Sequence, residues 1–140
     1  MNRADFQKLA NDRIADAKAM LAAKRWAAAY YLAGYAVECA FKACILVRLD
    51  ESPELVFVDR RFSEKCWTHD LTQLRELAGL TMIFGVDSAA DPGLYSNWSA
   101  VKEWNESSRY QTRTKAQAES LFDAITDKKH GVLPWLKQRW

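Results

Sequence analysis

Glu38 and Lys42 are the only charged residues between Trp26 and Val47, the longest nearly apolar run of the chain. Four positions apart on a helix, acid before base, they share one face in the better orientation for an ion pair. Within an otherwise buried helix such a pair is either a structural ion pair or the floor of a functional pocket. Two histidines, His69 and His130, add imidazoles able to act as a general base or to donate to a phosphate. The cysteines Cys39, Cys44 and Cys66 are odd in number and lack CxxC spacing, so neither a zinc site nor a disulfide framework is expected and no cofactor is implied. Cys39 and Cys44 stand about 140° apart around a helix, off a common face, and all three cysteines read as buried free thiols.

The elements that must position these groups are helical. Phe6, Ala10, Ile14, Ala17 and Leu21 repeat at spacings of three and four, predicting a first helix over about Arg3 to Ala23. A second, apolar on most sides, is expected from about Trp26 to Leu49, ended by Pro53. Pro53 to Trp67 reads as a short helix or an irregular crossover. Thr68 looks like the N-cap of a third helix whose stripe is Leu71, Leu74, Leu77 and Ala78, with His69 in its first turn and Gly79 as its stop. Gly85 to Gly93 reads as a polar loop, and Trp98, Val101 and Trp104 as a short helix before a break at Asn105 to Ser108. Thr114 with Gln117 suggests a capping box opening a last long helix, which Gly131 and Pro134 end. The tail PWLKQRW is apolar enough to pack on the bundle or on a partner. With no alternating strand pattern, Gly-rich phosphate loop or repeat, the expected fold is one all-α domain over residues 1–140, an antiparallel bundle of four long helices with one or two short additions.

The apolar run is long enough to cross a hydrocarbon core of ~30 Å, but two charges, Ala-rich composition and the lack of a second span argue against a membrane helix. MNRADFQKLANDR contains no apolar stretch of signal-peptide type, so a soluble, cytoplasmic protein is expected. A net charge of +2 carries no nucleic-acid footprint, so a polyanion site would have to be a local patch.

The text AAAYYLAGYAVECAFKACI, followed by HDLTQLREL and RYQ, resembles the HEPN family of small helical domains, and the likeness extends over most of the chain. It implies a bundle of four to five helices that often dimerises, found as RNA-cleaving toxins, as defence proteins and as companions of nucleotidyltransferases. The ribonuclease branch carries an Arg followed, after four to six residues, by a His. Here the positions ahead of His69 hold Phe62, Ser63 and Glu64, and those ahead of His130 hold Asp123, Ala124 and Ile125. The family's catalytic pair is therefore not carried over, and no catalytic residue is assigned.

The matching segments leave Glu38, Lys42, His69, Asp70, Arg109 and Tyr110 as candidate ligand-binding residues. Arg109 beside Tyr110 would suit a phosphate with a stacked base, a fork of donors next to an aromatic face. Lys115, Arg113, Lys128 and Lys129 would either extend a basic stripe or form a solvated face. The function expected is a non-catalytic binding module for nucleotide, RNA or a nucleotidyltransferase-type partner. The alternatives are a metal-independent endoribonuclease of toxin or defence type, and a structural dimer subunit of a two-component nucleotidyltransferase system. A homodimer is expected because the second helix looks too apolar for three neighbours to cover.

Overall fold

Asn2 opens the first helix with a reciprocal cap: its side chain accepts from the Asp5 N–H at 3.0 Å, while the Asp5 carboxylate accepts from the Asn2 N–H at 2.8 Å. In the computed structural model, which describes residues 1–140, this helix is α1, Arg3–Ala22. It ends where Lys24 adopts φ 58°, and the N–H groups of Lys24 and Arg25 return to the carbonyls of Leu21 and Met20 at 3.0 and 2.8 Å. That left-handed position, usually given to glycine, turns the chain back on itself and lays α2, Trp26–Glu51, along α1.

The centre of α2, from Ala33 to Ile45, is buried at nearly every position because the rest of the chain wraps it. Two short helices follow, α3 (Leu55–Val58) and α4 (Phe62–Lys65), then α5 (Leu71–Leu77). Asp70, not Thr68, caps α5, accepting from the Gln73 N–H at 2.9 Å, so His69 lies just outside the helix rather than in its first turn. The Thr68 hydroxyl instead accepts from the Asp70 N–H at 3.2 Å and donates to the Gln73 side chain at 2.9 Å. Gly79, at φ 72°, ends α5 as expected.

The stretch expected as a polar loop is helical instead. α6 spans Thr81–Ala90 and α7 spans Pro92–Val101. Phe84 and Ser88, four apart, turn inward on α6, and Asp91 followed by Pro92 is a helix start: the Asp91 side chain accepts from the Leu94 N–H at 3.1 Å and proline fills the first helical position. The short helix expected around Trp98 is this longer α7, with Trp104 beyond its end. The expected break after Asn105 is a 3-10 helix, Glu106–Tyr110.

Thr114 and Gln117 form a capping box on α8, Lys115–Thr126, with bonds of 3.2 and 2.9 Å. Pro134 does not end a helix. It sits in the first turn of α9, Val132–Lys137, where no intrahelical N–H is needed. The tail packs on its own chain, with Trp135 and Leu136 buried. An aromatic chain ties the layers together: Phe41 of α2 meets Trp98 of α7 edge-on, Trp98 meets Phe84 of α6, and Phe84 meets Trp135 of α9 at 5.3 Å and 90°. The fold is all-α, with no strand, and α2 finds its cover within one chain, which removes the motive given above for a second copy. No helix is long and apolar enough to cross a membrane.

Candidate functional site

Glu38 is 2% exposed at the middle of α2, where an unpaired carboxylate would be costly. Lys42, one turn on, donates to its Oε1 at 2.8 Å. His69 arrives from the joint between α4 and α5 and donates through Nδ1, 3.0 Å from each Glu38 oxygen. Thr68 and the Asp70 cap fix that joint on either side of the imidazole.

On its outer side His69 meets a residue that sequence reasoning missed. Its Nε2 stands 3.0 Å from Oε2 of Glu106, at the start of the 3-10 helix. Both ring nitrogens thus stand 3.0 Å from a carboxylate oxygen. The contacts span the sequence from Glu38 to Glu106, and no local pattern announces a pairing of that range.

Trp104 positions the 3-10 helix. Its indole lies on Gly34 of α2 so closely that a Cβ at that position would overlap the ring. Ser108, 1% exposed, is buried on the same helix. The Asn105 side chain accepts from the Ser107 N–H at 3.0 Å and caps the turn. In a 3-10 helix residues three apart eclipse, which sets Arg109 on the same side as Glu106.

Arg109 makes no ion pair and no side-chain hydrogen bond; its guanidinium lies 4.8 Å from the centroid of the Tyr110 ring, itself 79% exposed. Arg109 and Tyr110 therefore form a surface pair of their own, with no ion pair or side-chain hydrogen bond to the Glu38 group. Asp70 has its carboxylate committed to the α5 cap. Between the α4–α5 joint and the 3-10 helix lies an open cleft of about 450 Å³, lined by His69, Asp70, Lys102, Glu103, Asn105 and Glu106 among others. Three carboxylates, Asp70, Glu103 and Glu106, line it against one lysine, Lys102.

The thiols take no part: burial pushes both Cys39 and Cys44 up to about 12, with Glu38 adding to the effect at Cys39. No three His, Cys, Asp or Glu side chains gather in a way that would hold a metal ion. No family model matches this chain, and neither does any curated protein or solved structure.

Proposed function

We propose that the chain is a HEPN-type binding module for a nucleotide or single-stranded RNA, acting without cleaving it. In this reading α1, α2, α8 and the consecutive α6 and α7 serve as the four members of the family's bundle. The observation that carries it is the pair Arg109 and Tyr110: a guanidinium without an ion pair over an exposed ring, on the 3-10 helix whose first residues line the cleft. Guanidinium takes phosphate bidentately and the ring offers a stacking face, and apart from each other the two side chains have no ion pair or hydrogen bond to lose. The absence of cleavage is supported by Glu106, whose carboxylate stands 3.0 Å from the His69 Nε2 that a 2′-hydroxyl would need.

Fluorescence anisotropy with a labelled single-stranded RNA tests the reading. Arg109→Ala is expected to weaken binding about tenfold and to flatten its salt dependence by about one phosphate, and Tyr110→Ala to weaken it comparably. RNA bound equally by the wild type and both variants would refute the assignment.

The endoribonuclease reading is favoured by one specific observation, the buried Glu38 behind His69 Nδ1, the arrangement in which a carboxylate orients a catalytic imidazole. Cleavage abolished by His69→Ala and enhanced by Glu106→Ala would decide for it. A dimeric or partner-bound state is supported by the uncharged exposed face of α6, at Met82, Ile83 and Val86.

A further inference from the structure

Lys42 belongs to two places at once. Its ammonium binds Glu38, yet its side chain also lines a separate groove of about 320 Å³ built from Phe6 of α1, Ile45 and Leu49 of α2, Phe62 of α4 and Cys66 just beyond it. Apart from Ser63, every other group lining that groove is apolar, and Lys42 is the only charge in it. An ammonium has three donors, and Glu38 takes one. At 18% exposure the side chain remains reachable.

We propose that this groove binds a single-tailed organic monoanion, a carboxylate whose apolar tail lies among Phe6, Ile45, Leu49 and Phe62 and whose head takes the spare donors of Lys42. The volume sets the size, since at ~30 Å³ per heavy atom the groove holds roughly ten. The charge sets the head group. A neutral head would accept from Lys42 without charge assistance, whereas a dianion would meet a single cation already shared with buried Glu38. Tail burial supplies the affinity and the ammonium the selectivity, the usual division in an apolar pocket with few polar groups. The site goes beyond the nucleotide reading and uses neither Arg109 nor Tyr110.

Two reporters stand on the groove: Trp67 is 77% exposed at its edge, and Cys66 is the one cysteine that is not buried. The intact chain is titrated with octanoate, octanol and octyltrimethylammonium, following tryptophan fluorescence and the rate of Cys66 alkylation at pH 9 by peptide mass spectrometry. Octanoate is expected to slow alkylation and to bind at least about tenfold more tightly than octanol, the worth of one charge-assisted contact, with the ammonium weakest. Lys42→Gln should erase the preference for octanoate over octanol. Because that change also disturbs Glu38, Ser63→Phe provides a second variant: it fills the groove from an exposed position and should abolish octanoate binding in a protein with an unaltered circular dichroism spectrum. Octanol matching octanoate, or Ser63→Phe binding normally, would overturn the proposal. So would protection of Cys66 that rises with protein concentration in the absence of any ligand, because a second copy would then be the occupant. RNA binding is read separately through Arg109, so either site can fail without the other.

Discussion

Two histidines pair with carboxylates in this molecule, and the pairs differ in nearly everything except chemistry. His69 sits against Glu38 on the central helix, with Lys42 on the same carboxylate and Glu106 on the ring's far nitrogen. His130 sits against Asp91 at 2.8 Å, in the open, at the junction of α6 and α7. Asp91 is also the cap of α7, the His130 N–H is held by Asp127 at 2.7 Å, and the His130 carbonyl accepts from Asn97 at 2.9 Å. His130 therefore fastens one turn to another. Water can replace each of its bonds, whereas Glu38, 2% exposed, depends on Lys42 and His69. A His–carboxylate contact acquires functional meaning from the cost of removing its partner, and that cost is set by burial.

The sharpest way to break this comparison is Glu38→Ala. Removing the carboxylate strands Lys42 and His69 and leaves a hole in α2, and an expected loss of about 3 kcal/mol follows from the usual cost of halving a buried ion pair. Urea denaturation measures it, and a midpoint equal to the wild type would show that the buried cluster is no more demanding than the exposed one. Next in size is Gly34→Ala. The added methyl drives Trp104 off α2, at about 2 kcal/mol for an overpacked site, and shifts the 3-10 helix that carries Glu106 and Arg109. RNA affinity should fall along with stability. A variant that kept full affinity would separate the 3-10 helix from the binding role given to it here.

The smallest effect belongs to the exposed pair. The hydrogen bond from His130, with that from the Leu94 N–H, holds the Asp91 carboxyl below its ordinary value of 3.8. A depressed carboxyl contributes stability above its unfolded value and loses it as pH falls through the folded one. Thermal midpoints of the wild type and Asp91→Asn should therefore differ modestly at pH 6 and converge as the solution is acidified below about pH 4, the unfolded range for aspartate. A gap that persists at low pH would place Asp91's role in the α7 cap geometry rather than in its charge.

What the sequence made legible follows the range of the interactions involved. α1, α2 and α8 were readable because their periodicity is long and the Thr114–Gln117 cap is local. The Glu38–Lys42 contact was readable for the same reason, being one helical turn. α6 was hidden by Gly85, Asp87 and Ser88, which look like loop residues. There Phe84 and Ser88 turn to the core while Asp87 accepts from the Trp135 indole and Arg139, and tertiary contact overrides weak propensity. Asp91–Pro92 is a helix start that reads as part of a polar loop. Glu106 and the Gly34–Trp104 contact lay out of reach, since neither has a local pattern to announce it.

The reversal at Lys24 also bears on the order in which the molecule comes together. It joins the two longest helices through three residues, so closing that hairpin costs little chain entropy and its contacts are local. The His69 and Glu106 contacts must instead close loops of tens of residues. On a chain emerging N-terminus first, α1 and α2 are complete while Glu38 and Lys42 still have only each other. The lining of the cleft is complete only once Ser107 has been made, so the hairpin is the frame that waits, with α8 and α9 still to follow.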